Sequence, residues 1–154
     1  MSLEVLRCTT AEPRFQQLVS ELDAELHHRY GEVQALYTPH NHVAAIETAV
    51  LAVEDGRPLG CGCFKPHGPD AVELKRMYVA PQARGRGVGR RLVGALEAWA
   101  RELGHARAVL ETGTSQPEAV ALYRRCGYQR TPCFGPYLDL PASICMAKAL
   151  SPGA

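Results

Sequence analysis

Hydrophobic and polar positions along this chain follow two rhythms, one of two residues and one of three to four, and the changes between them mark its elements. Leu3 to Thr9 alternates enough to predict a first strand. Pro13 then opens a helix in which Phe15, Leu18, Val19, Leu22 and Leu26 recur at helical spacing, and Gly31 past Tyr30 stops it. Glu32 to His42 has little periodicity and reads as a loop or a short second helix. Strands are predicted at Glu47 to Glu54 and Pro58 to Lys65 around the hairpin signal Asp55-Gly56-Arg57. Another runs from Val72 to Val79 and ends before Pro81, which has no N–H for a ladder.

The rhythm then turns helical: Val88, Leu92, Val93, Leu96, Trp99, Ala100 and Leu103 fall near one face until Gly104. Arg107 to Thr112 reads as a strand, and Ser115-Gln116-Pro117-Glu118 as a capping box for a helix through Leu122, Tyr123 and Cys126. Two β segments, Tyr128 to Phe134 and Ala142 to Lys148, flank the turn-rich Gly135 to Pro141. The order β-α-β-β-β-α-β-α-β-β predicts a central mixed sheet with helices on both faces, in an α/β (α+β) domain covering 1–154.

Composition narrows the classes of function. At 154 residues the chain is long enough for one domain that buries roughly 68–70% of its unfolded surface. No apolar run approaches the ~20 residues of a membrane span, and the first residues lack a leader's basic and apolar regions, so a cytoplasmic, membrane-free protein is expected. A net charge of +1 argues against nucleic acid as partner. Without a C-x-x-C pair, the cysteines, Cys61-x-Cys63 among them, are expected as buried free thiols rather than bridges. The close histidine pairs, His27-His28 and His40-x-His42, lack the spacing of a ligand set, so no metal is expected.

Charge is distributed unevenly. Leu74 to Leu96 contains no Asp or Glu but carries Lys75, Arg76, Arg84, Arg86, Arg90 and Arg91 around the run Arg84-Gly85-Arg86-Gly87-Val88-Gly89-Arg90. Strand, glycine-rich turn and helix together present free backbone N–H groups and a positive dipole end, a setting for a phosphate-bearing ligand. A dinucleotide fingerprint fails at its third glycine, where Arg90 or Leu92 stands, and no Gly-Lys-Ser/Thr completes a P-loop. The run fits Arg/Gln-x-x-Gly-x-Gly, once from Arg84 and once, shifted, from Gln82.

Glu73 to Leu92, "ELKRMYVAPQARGRGVGRRL", resembles the acetyl-CoA-binding motif of the GNAT superfamily of N-acetyltransferases. Leu110 to Tyr128, "LETGTSQPEAVALYRRCGY", resembles the segment that completes the site in that family. The resemblance implies a single GNAT-like domain with a mostly antiparallel twisted sheet of six to seven strands and a CoA-binding core at about 72–128. It implies acetyl transfer from acetyl-CoA to a primary amine of a small molecule or peptide, by direct attack. It further implies that Met77, Tyr78 and Val79 pair with the pantetheine arm, and that the backbone from Arg84 through Gly85, Arg86, Gly87, Val88 and Gly89 to Arg90 surrounds the pyrophosphate. Gln116 stands where many relatives carry a cofactor-contacting asparagine.

Two side chains are candidates for the chemistry. Glu73 matches the family's glutamate base, the alternative being a solvated carboxylate or a partner for Lys75. Tyr123 matches the tyrosine beside the CoA sulfur, a proton donor to the leaving thiolate, the alternative being a packed helix residue. Tyr30, Tyr37, His40, His42, Tyr137 and Asp139 are candidates for the acceptor side. Two other functions stay open: a catalytically silent acyl-CoA-binding regulatory domain and a nucleotide-dependent enzyme. A homodimer is also left open.

Overall fold

The computed structural model describes residues 2–31 and 45–150. Its elements run β1 (Leu3–Cys8), α1 (Pro13–Tyr30), β2 (Ala49–Glu54), β3 (Arg57–His67), β4 (Ala71–Val79), α2 (Val88–Glu102), β5 (Arg107–Gly113), α3 (Pro117–Arg125), β6 (Gln129–Thr131) and β7 (Ser143–Ala149). All seven strands join one sheet in the order β1-β2-β3-β4-β5-β7-β6, in which β4 and β5 are parallel and every other pair is antiparallel. The β2–β3 turn places both Asp55 (φ 52°) and Gly56 (φ 77°) in the left-handed region, which matches the twist of the strands it joins.

Each face of the sheet is covered by helix. On one face, Phe15, Leu18, Leu22 and Leu26 of α1 pack on Leu51, Val53, Cys61, Cys63 and Tyr78. On the other, Val88, Leu92, Leu96 and Ala100 of α2 pack on Val50, Phe64, Val72, Leu74 and Leu110. Strand alternation sorts β4 between these layers: Val72 and Leu74 join the α2 side, which leaves Glu73 and Lys75 for the opposite face.

Two irregularities in β4 position the site. Its register with β3 passes from Cys61↔Tyr78 to Cys63↔Lys75, so β4 holds one extra residue, a β-bulge at Arg76, whose φ is 58°. The Arg76 guanidinium is held by Asp23 and by the Val19 carbonyl of α1. Its pairing with β5 covers Ala71 to Leu74 alone, after which the two strands part.

Three sequence expectations are corrected. The Cys133 and Cys145 thiols form a disulfide, with Cα atoms 5.1 Å apart, instead of staying free. Antiparallel pairing of Thr131 with Cys145 brings the two cysteines together, a proximity their spacing does not announce. Cys8, Cys61, Cys63 and Cys126 are free. The capping box does not form: Pro117 takes the first turn of α3, so Gln116 becomes the N-cap without a side-chain bond. Ser115, one residue too early, instead offers its carbonyl to Arg29. The β6 strand spans three residues, shorter than Tyr128 to Phe134, because Pro132 cannot donate to a ladder and Gly135–Tyr137 closes a 3-10 turn.

Candidate active site

A cleft of about 420 Å³ opens where β4 and β5 part. One wall is Met77, Tyr78 and Val79, whose edge toward β5 has no strand partner among the described residues. The far wall is α3, with Gln116, Leu122 and Tyr123, and its floor is the start of α2. There Gly85 (φ 81°) and Gly87 (φ 78°) both require left-handed backbone, and Gly87 caps the helix in that conformation. The first intrahelical bond runs from Arg91 N–H to the Gly87 carbonyl, 3.1 Å, so the amides of Val88, Gly89 and Arg90 keep their donors for a ligand. No carboxylate stands in this first turn. Aligned free amides, a dipole end and no acid make the floor an anion cradle.

The arginines of the run divide. Arg90 is exposed and lines the cleft. Arg84 also lines it, but its Nε donates to the Val79 carbonyl at 2.9 Å and its Nη2 pairs with Glu25 at 2.7 Å. Arg86 lies outside the lining, paired with Glu54, and Arg91 donates to the Leu3 carbonyl. Gln116 lines the cleft, where its Oε1 accepts from the Tyr30 hydroxyl at 3.0 Å. Tyr123 is 6% exposed with its ring 6.0 Å from that of Tyr128. Burial pushes the Tyr123 hydroxyl well above the usual phenol range, so it stays protonated at neutral pH.

Glu73 is not part of the cleft lining. It lies 4% exposed, where the Tyr137 hydroxyl donates to its Oε2 at 2.8 Å, with Lys75 at 3.5 Å and Lys65 at 3.8 Å. Lys75 in turn donates to the Tyr137 oxygen at 2.9 Å. Burial pulls the Lys75 ammonium below the ordinary lysine range against the opposing pull of Glu73. Tyr137 thus ties together two residues of β4 from a turn 62 and 64 positions away.

A second carboxylate, absent from the sequence-derived candidates, completes this cluster. Glu111 follows Leu110, the last residue of β5 paired with β4, where the two strands part. Since Glu73 pairs with Val109, alternation puts Glu111 on the same face as Glu73. Its Oε2 accepts from Ser143 Oγ at 2.9 Å, yet burial raises its pKa to about 7. The signal was present in the sequence: one acid directly after the apolar run Ala108-Val109-Leu110 of a strand. Of the acceptor-side candidates, Tyr30 and Tyr137 take part in these contacts, Asp139 is exposed, and Tyr37, His40 and His42 lie outside the described residues.

Residues 11–128 match the Acetyltransferase (GNAT) family. An IAA acetyltransferase of Azospirillum brasilense is 36% identical over 142 residues, 87% of this chain and 89% of its own length. The structure of a candidate acyl-CoA N-acyltransferase from Klebsiella pneumoniae matches at a TM-score of 0.79 and 32% identity, across 96% of this chain and 97% of that one. The N-acetylglutamate synthase of Neisseria gonorrhoeae, in complex with coenzyme A and N-acetyl-glutamate, shares the fold at a TM-score of 0.70 and 22% identity, over 97% of this chain and 35% of its own.

Proposed function

This chain belongs to the GNAT family of acetyltransferases, and on that premise we propose that it acetylates a primary amine of a small molecule or peptide by direct attack on acetyl-CoA. The carrying observation is that one cleft unites a β4 edge without a strand partner among the described residues, an acid-free helix N-terminus and a buried tyrosine. In this reading the amides from Gly85 to Arg90 receive the diphosphate of the cosubstrate, with Arg90 adding charge. An N–H of the Met77 to Val79 edge polarises the thioester carbonyl, a fixed dipole already aimed where negative charge develops. Tyr123 holds the proton that neutralises the departing thiolate.

The amine must arrive without its proton. For a lysine-like amine of pKa ~10.4, deprotonation at pH 7 costs about 4.6 kcal/mol. We assign proton acceptance to the carboxylate pair on the α1 face: Glu73, fixed by Tyr137 and Lys75, and Glu111, whose pKa of about 7 suits a base at neutral pH. A covalent acyl-cysteine route lacks support, since burial pushes the free thiols of Cys61, Cys63 and Cys126 upward and away from the reactive thiolate.

The test is thiol release from acetyl-CoA with a panel of amines, amino acids and short peptides. IAA joins the panel because the Azospirillum relative bears its name. Turnover with at least one primary amine is expected, alongside CoA binding by calorimetry. CoA binding with no thiol release across the panel would return the silent regulatory reading. No CoA binding would remove the cleft assignment itself.

A further inference from the structure

We propose that Tyr137 is a positioning residue for Glu73, its hydroxyl bridging the Lys75 ammonium and the Glu73 carboxylate, which also face each other directly at 3.5 Å. This rests on the reading of Glu73 as a proton acceptor. The turn carrying Tyr137 is anchored just upstream of it. Upstream, the Cys133–Cys145 disulfide fastens the chain to β7. Between them, Phe134 sits edge-on to both His67, at 4.7 Å, and Tyr137, at 5.6 Å. Tyr137 is 3% exposed, which shields its bonds to Lys75 and Glu73 from bulk water.

The hydrogen-bond directions give the bridge its effect. An ammonium has donors alone, so the Tyr137 oxygen must accept from Lys75, which leaves its O–H to donate to Glu73 Oε2. The donated bond fixes the rotamer of the Glu73 carboxylate and leaves Oε1 turned toward the more exposed Lys65 at 3.8 Å. Among the described residues, the groups facing Glu73 are Lys75 on its own strand, Lys65 on β3, Tyr137 on the turn, and Glu111 on β5 across the same face. Loss of the Tyr137 hydroxyl removes the bond that fixes Glu73 Oε2 and lets the carboxylate turn toward its lysine neighbours.

Tyr137→Phe keeps the ring contacts with Phe134 and removes the bridge, and Lys75→Met removes its far end. The Glu73 side-chain carboxyl is followed by 13C NMR at one fixed pH, its resonance assigned by disappearance in Glu73→Gln, in parallel with kcat and KM for the best amine. Tyr137→Phe is expected to move that resonance and to lower kcat about ten-fold, while KM for the amine and the calorimetric affinity for CoA stay as in the parent. Lys75→Met is expected to move the resonance as well and to lower kcat with it. An unmoved carboxyl resonance in Tyr137→Phe overturns the inference. A resonance that moves while kcat stays fixed leaves the bridge standing and removes Glu73 from the chemistry.

Discussion

Glu111 supplies the sharpest quantitative prediction, because the burial that raises its pKa also destabilises the fold once it ionises. Its pKa rises from a reference value of 4.5 to about 7, chiefly through burial. A carboxyl whose folded value lies above its unfolded value holds its proton longer in the native state. Stability is therefore complete below about pH 4.5, falls as pH rises toward 7, and is flat above that. At 1.36 kcal/mol for each unit, the loss across this window is about 3 kcal/mol. Glu111→Gln cannot ionise; its carbonyl can still accept from Ser143 Oγ, and a new buried amide donor costs about 1–2 kcal/mol. The variant is thus expected to gain about 1–2 kcal/mol at pH 8 and to lose about as much at pH 4.5. Urea unfolding at half-unit steps between pH 4.5 and 8.5 measures both ends, and acetyl transfer by the same samples should fall. A parent and variant with parallel stability curves would refute the burial account of Glu111. Full activity in the variant would remove it from the proton-accepting pair.

Other perturbations test separate parts of the site. Gly87→Asp forces a side chain into φ 78° and sets a negative charge in the cradle, so CoA binding should be abolished; calorimetry showing unchanged affinity would refute the anion assignment. Tyr123→Phe should cost less turnover than Glu73→Gln, since thiolate leaves readily at a thiol pKa of ~8.5, and the reverse order would overturn that ranking. Glu73→Gln should lose most at low pH, where unprotonated amine is scarce; a constant ratio across pH argues against a base. Cys133→Ser should lower stability by about 2–3 kcal/mol and render unfolding insensitive to reductant, whereas a parent already insensitive to reductant would argue against the bond.

The element order was legible because nearly every element carries its own period. Leu92, Leu96 and Ala100 announce α2, and Asp55-Gly56 announces the β2–β3 turn. The cradle was legible for the same reason: Gly85 and Gly87 act through local backbone. What stayed hidden depends on partners far along the chain. Four arginines near the glycines read alike, yet Glu25 holds Arg84 and Glu54 holds Arg86, and neither pairing leaves a trace in spacing. Tyr137 was visible as a loop aromatic, but its bond to Glu73 spans 64 positions. The Cys133–Cys145 bond follows from β6–β7 register, which forms only after the sheet closes.

The one-residue bulge at Arg76 decides which face of the sheet each half of β4 presents. In an unbroken β4, Met77 would share a face with Glu73 and Lys75. The extra residue reverses parity, so Met77 turns to the α2 side and packs in that core, while Arg76 and Tyr78 join the α1 side. The same extra residue bends the strand just past Leu74, where pairing with β5 ends and the cleft begins. Upstream of the bend, the sheet is closed and buries Glu73 among its cationic and hydroxyl partners. Downstream it is open, and the backbone of Met77 to Val79 faces the cleft. A non-glycine residue at φ 58° is a strained position, held by Asp23 and the Val19 carbonyl of α1. The helix that covers the face carrying Glu73 therefore also holds the bend at which the cleft opens.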